Sequence, residues 1–140
     1  MKGKVFTVQQ KVLFRHCDPA GIVFFPRYLE MVNDAVEAFF DGVLKMPFEI
    51  LHKTGATPTV ALTTEFPAAS FHGDMLEISI TPSKLGRTSL GLNTIARCDG
   101  ETRFICDATL VFINTRGKPT PWPSSVKDNI AADFGEHNDT

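Results

Sequence analysis

Hydrophobic and polar residues alternate from the start of the chain. Phe6, Val8, Val12 and Phe14 fall on one face and Thr7, Gln9 and Lys11 on the other, which predicts a half-buried strand. The strand runs into Asp18-Pro19-Ala20-Gly21, with Asp first, Pro second and Gly fourth, the residue order of a type I turn. The period then changes. Tyr28, Val32, Ala35, Val36 and Phe39 recur at helical spacing, widened by Leu29, Met31 and Phe40, while Glu30, Asn33, Asp34 and Glu37 lie mostly opposite. A helix over 26–41 is predicted, with Pro26 in its first turn and Gly42 closing it. So broad an apolar face belongs to a helix that other structure wraps.

Residues 43–56 read as a short helical or irregular link broken by Pro47 and Gly55. Four alternating runs follow. Val60, Leu62 and Phe66 mark the first, Leu76, Ile78 and Ile80 the second, Leu90, Leu92 and Ala96 the third, and Phe104, Cys106, Ala108, Leu110 and Phe112 the fourth. The second and third join near Gly86-Arg87. The last two join at Asp99-Gly100, a type I′ hairpin signal that would pair Cys106 with Asn93. One strand, one long helix and an antiparallel meander make an α+β domain, not a parallel sheet. From Gly117 the chain turns Pro-rich. Ser124 or Ser125 is expected to cap a short helix carrying Val126, Ile130 and Phe134, and residues 135–140 are expected to fray.

Composition narrows the classes. The 140 residues suit a single domain over 1–140, with 117–140 as its Pro-rich segment and terminal helix. Fourteen Lys and Arg against sixteen Asp and Glu leave a charge of −2, which argues against a nucleic-acid partner. No run is apolar enough to span a bilayer, and Val5 onward lacks a signal-peptide core, so a cytoplasmic protein without a membrane partner is expected. Cys17, Cys98 and Cys106 are odd in number and without metal-ligand spacing, and are read as reduced thiols. Twelve Phe against one Tyr and one Trp predict a dry core.

Candidate chemistry is sparse. His16, His52, His72 and His137 are scattered, so no metal is expected, and no Gly-rich phosphate loop occurs. His16 is expected to face away from Asp18, and contiguous His16 and Cys17 point to alternate sides, so Cys17 lacks a base. What remains is Asp18, a carboxylate delivered beside a helix N-terminus. Free N–H groups around residues 23–25 would form an oxyanion site there. A carboxylate and an oxyanion site are the minimum for hydrolysing an activated acyl group, although Asp in such a turn also has an ordinary structural use.

The stretch from Arg15 through Tyr28 resembles the signature of the 4-hydroxybenzoyl-CoA thioesterase family of hotdog-fold proteins, through Asp18, Gly21, Val23, Phe24, Phe25 and Tyr28. The resemblance implies an antiparallel sheet wrapped around one central helix and an acyl-CoA substrate with no separate cofactor. It implies that Asp18 is the nucleophile or general base, with the backbone N–H of Phe25 as oxyanion donor and Gly21 sharing in that loop. It implies acyl contacts at Tyr28, Asn33, Thr57 and Thr59, and CoA contacts at Lys84 and Arg87. It further implies a homodimer at minimum and a homotetramer as the fuller assembly. Phe25 stands where a short-chain aliphatic branch carries His, so the chain looks more like the aryl-CoA branch. A short-chain thioesterase, a non-catalytic acyl-CoA binder and a hydratase remain the alternatives.

Overall fold

The computed structural model describes residues 5–135. Strand β1 (Phe6–Lys11) leads through a 3₁₀ turn (Phe14–His16) to helix α1 (Phe25–Gly42). A one-turn helix α2 (Phe48–Leu51) and strand β2 (Gly55–Ala56) link α1 to β3 (Thr59–Glu65). The meander β4 (Met75–Leu85), β5 (Ser89–Cys98) and β6 (Glu101–Val111) follows, then β7 (Ile113–Asn114) and α3 (Ser124–Phe134). The main sheet is antiparallel in the order β1-β4-β5-β6-β3, and β2 pairs with β7 beside it.

One face of this sheet closes on α1. Leu76, Ile78 and Ile80 of β4, Leu90 and Leu92 of β5, and Phe104 and Cys106 of β6 are buried with Tyr28, Met31, Val32, Ala35, Val36, Phe39 and Phe40 of the helix. Phe39 and Phe40 are wholly buried, and their rings meet Phe6, Phe134, Phe48 and Trp122. This is the α+β hotdog arrangement, a sheet around one greasy helix. Apolar burial here, at about 25 cal/mol per Å², is the main stabilising term.

Pro26 sits in the first helical turn and Phe24 is the extended N-cap. At the other end the helix runs through Gly42, and the reversal falls at Lys45, whose φ is 55°. The Lys45 ammonium donates to the Gly42 carbonyl at 2.7 Å, satisfying one of the orphan acceptors there. The type I′ turn has both Asp99 and Gly100 at positive φ, as that turn requires.

Three local expectations are corrected. Phe14 does not continue the buried face of β1; the strand ends at Lys11 and Phe14 is 82% exposed in the 3₁₀ turn. A bulge between Ala96 and Arg97 shifts the β5–β6 register by one, so Cys106 faces Thr94 rather than Asn93. No serine side chain caps α3; Pro123 is the N-cap and Ser124 is already helical. Val60 and Leu62, which mark the run that forms β3, are 59% and 46% exposed on this edge strand, and Phe66 just beyond it is 41% exposed. All three cysteines are free. From residue 136 onward the expected fraying, like His137, lies outside the described residues.

Candidate active site

Asp18 sits in the predicted turn. The Gly21 N–H closes it on the Asp18 carbonyl at 2.9 Å, and the Ala20 N–H donates to Asp18 Oδ1 at 2.9 Å. Gly21 adopts φ 82°, the left-handed region that a side chain would strain. The two arms of this small hairpin meet again where the Asp18 N–H donates to the Ile22 carbonyl and Cys17 bridges Val23. The carboxylate opens into a hollow of about 280 Å³, lined by Arg15, Cys17, Asp18, Pro19, Phe24 and Arg27. Its two guanidinium groups escaped the sequence reading, which looked for cations only on the distant β4–β5 turn.

The oxyanion expectation narrows to one donor. The Val23 N–H is taken by the Ser70 carbonyl at 2.9 Å, and the Phe24 N–H by the His16 carbonyl at 3.0 Å. Gly21 is likewise engaged in closing its turn, which corrects the expectation that it helps hold an oxyanion. Phe25 opens the helix, Pro26 beside it has no N–H, and among the described residues no hydrogen bond takes the Phe25 N–H. The helix dipole adds positive potential at that point.

His16 is buried at 2% exposure, and its Nδ1 accepts the Leu13 N–H at 2.9 Å. That bond makes it a neutral imidazole with the proton on Nε2. Burial, followed by the charge of Arg15, lowers its pKa below 6.5. It buttresses the turn before Asp18 rather than acting as a catalytic base. The Cys17 thiol donates to the Leu13 carbonyl at 3.6 Å.

Three of the four expected acyl contacts come together and one does not. A cavity of about 560 Å³ lies along the exposed flank of α1, where Leu29, Val32, Asn33 and Val36 face Phe48, His52, Ala56, Thr57, Pro58 and Thr59. Leu62, Ala108, Leu110 and Ile113 complete its largely apolar wall. Asn33, Thr57 and Thr59 thus share one cavity, and His52, read as an isolated histidine, joins them. Tyr28 is elsewhere: it is 3% exposed, stacks on Phe66 at 5.3 Å, and donates its hydroxyl to Ser70 Oγ at 2.8 Å. Its burial pushes the phenol pKa up, so it stays a donor.

Lys84 and Arg87 are exposed at the β4–β5 turn. Asp18 belongs to the opposite end of the sheet, since its hairpin bridges Phe71 through Ile22 just before β4 begins at Met75. Lys84 lies nine positions beyond Met75 along β4, roughly 30 Å of strand. Within one chain the two sets of residues therefore stand apart.

In the segment 70–74 only His72 stood out in the sequence. Ser70 is wholly buried, Arg103 is 8% exposed, and Asp74 Oδ2 takes both the Phe71 N–H at 2.9 Å and Arg103 Nη1 at 2.7 Å. The Phe71 N–H first, then Arg103, hold the Asp74 carboxyl below its ordinary range. Glu101 pairs with Arg103 Nε at 2.8 Å. Among the described residues no three His, Cys, Asp or Glu side chains could hold a metal ion, and no helix is long and apolar enough to cross a membrane.

Comparison with known proteins places this geometry. A family model described as the thioesterase-like superfamily matches residues 12–130. The chain is 33% identical over 79 residues to a 4-hydroxybenzoyl-CoA thioesterase of Pseudomonas sp. (strain CBS-3), covering 54% of this chain and 56% of that one. It is 30% identical over 82 residues to a 1,4-dihydroxy-2-naphthoyl-CoA hydrolase of Nostoc punctiforme, covering 58% and 55%. These matches span about half the length of either relative. The solved structure of a gentisyl-coenzyme A thioesterase superposes with a TM-score of 0.82 at 28% identity, covering 90% of this chain and all of that one.

Proposed function

The chain belongs to the thioesterase-like superfamily, and on that premise we propose that it hydrolyses aryl-CoA thioesters to the free acid and CoA. The observation that carries this reading is the uncommitted Phe25 N–H at the start of α1, with the Asp18 carboxylate on the hairpin that leads into that helix. The thioester carbonyl oxygen accepts from the Phe25 N–H, and the helix dipole favours the negative charge that grows there. Asp18 attacks the carbonyl carbon as a carboxylate, or takes the proton of a water that does so. The C–S bond breaks and the CoA thiolate leaves. If Asp18 has attacked, water then cleaves the resulting anhydride and returns the carboxylate.

The apolar cavity along α1 suits a ring better than a charged acyl group, and Asn33 offers it a donor and an acceptor for a ring substituent. The relatives named above act on hydroxybenzoyl, dihydroxynaphthoyl and gentisyl thioesters, which favours the aryl class. Lys84 and Arg87 are the proposed partners of the CoA phosphates. The active unit is proposed to be at least a homodimer, with a homotetramer as the larger assembly. In support, β3 offers an open ladder edge carrying exposed Val60 and Leu62, next to Phe66 and Phe25. The proposed unit is one domain that needs no resident cofactor.

Asp18→Asn tests the chemistry cleanly. Asn keeps an Oδ1 for the Ala20 N–H, so the turn persists while the charge goes. Thiol release across a panel of aryl and aliphatic acyl-CoAs should fall at least about a hundredfold in this variant. Full activity in Asp18→Asn would sink the mechanism. No release from any thioester by the parent would leave an acyl-CoA binder instead.

A further inference from the structure

Hydrolysis of a thioester needs the attacking oxygen and the oxyanion donor at a fixed spacing about one carbonyl group, yet here they belong to different elements. Asp18 is carried by the 17–23 hairpin, whereas the Phe25 N–H is carried by α1. Ser70 touches both. The Ser70 carbonyl accepts the Val23 N–H at 2.9 Å, holding the hairpin, and Ser70 Oγ accepts the Tyr28 hydroxyl at 2.8 Å, holding the first turn of the helix. Next to it Phe71 bridges Ile22. We propose that Ser70 is a positioning residue that fixes the spacing between the Asp18 carboxylate and the Phe25 N–H; this inference rests on the thioesterase reading.

A linchpin must itself be held, and Ser70 is. It is wholly buried. The turn it opens is locked by two bonds between Phe71 and Asp74, the Phe71 N–H to Asp74 Oδ2 at 2.9 Å and the Asp74 N–H to the Phe71 carbonyl at 3.0 Å. Arg103 reaches the same Oδ2 at 2.7 Å from the irregular start of β6, so the turn is tied to the sheet. The path from sheet to site is Arg103, Asp74, Ser70, and then both halves of the catalytic pair. Tyr28 is the helix's end of that brace and not part of the acyl wall.

Tyr28→Phe and Ser70→Ala each delete the same hydrogen bond, and a displacement of about 1 Å between reacting groups can lower a rate about a hundredfold. Both variants and their double are assayed by steady-state CoA thiol release, on the acyl-CoA that the parent turns over fastest, with thermal melts alongside. Each single variant should lower kcat about tenfold or more while KM moves by less than about threefold. The double should fall no further than the worse single, because the bond is already absent. Unchanged kcat in Tyr28→Phe overturns the proposal, as does a loss residing in KM, which would return Tyr28 to the acyl wall. Losses that multiply in the double also overturn it. Tyr28→Phe removes one buried oxygen, so it decides the question by kcat even if Ser70→Ala does not fold. A parent that releases no thiol overturns the thioesterase reading and this inference with it. An active parent with indifferent variants overturns this inference alone.

Discussion

His16 shows how one side chain can set a pH limit without taking part in the chemistry. Its Nδ1 accepts the Leu13 N–H, and its carbonyl accepts the Phe24 N–H just before the helix. Protonating Nδ1 would remove that acceptor inside a buried site. Burial and then Arg15 lower its pKa, while Glu30 and Asp34 pull weakly the other way and Arg27 adds to the lowering. For a base whose folded pKa lies below its unfolded value of 6.5, the unfolded chain binds the extra proton. The contribution to stability is therefore complete above pH 6.5 and is lost as the pH falls below it towards the folded pKa. Thermal melts of the parent should decline through that window. His16→Asn, whose Oδ1 can take the Leu13 N–H, should start about 1–2 kcal/mol less stable and lack that part of the decline. Parallel pH profiles for the two proteins would exclude His16 as the source.

At the level of elements, the acyl cavity is built by the flank of α1, the α2 turn, the 56–59 segment and β6, and Asn33 is the polar probe of that construction. It lies two helical turns beyond Phe25, about 12 Å along the axis, so a substituent far from the thioester carbon is what it meets. Asn33→Ala should leave turnover of plain benzoyl-CoA within about threefold and weaken discrimination for hydroxylated rings by about fivefold to tenfold, since one good hydrogen bond is at stake. Selectivity that does not change across the panel retires Asn33 from that role. The helix, the strands and the Asp18 turn were legible in the sequence because their signals are local: a period of 3.6, a period of 2, and Asp-Pro-Ala-Gly. The β5–β6 register was not, because the bulge after Ala96 leaves no mark on the alternation. The brace at Ser70, Asp74 and Arg103 was hidden for another reason. Ser70 lies 42 residues from Tyr28, and Asp74 lies 29 from Arg103. No spacing rule reaches that far. The status of the N–H groups of residues 23 and 24 was equally closed to pattern reading, because it depends on which carbonyls the fold brings to them.

On the scale of the whole molecule, distance becomes the deciding fact. Asp18 stands at the end of the sheet where β4 begins, and Lys84 and Arg87 stand where β4 turns into β5, with roughly 30 Å of strand between. In the proposed homodimer, a two-fold pairing across the β3 edge would bring one end of each chain against the other end of its partner. A site that uses Asp18 and Phe25 from one protomer can then use Lys84 and Arg87 from the other. This arrangement makes a prediction that neither residue set makes alone. Asp18→Asn chains and Lys84→Ala/Arg87→Ala chains should each be impaired on their own, the second chiefly in KM. Co-expressed, half of the randomly paired dimers are mixed, and each mixed dimer holds one intact site of two. Activity should recover to about a quarter of the parent's under subsaturating acyl-CoA. Were each site drawn from a single chain, no mixed dimer would contain an intact one, and co-expression would restore nothing.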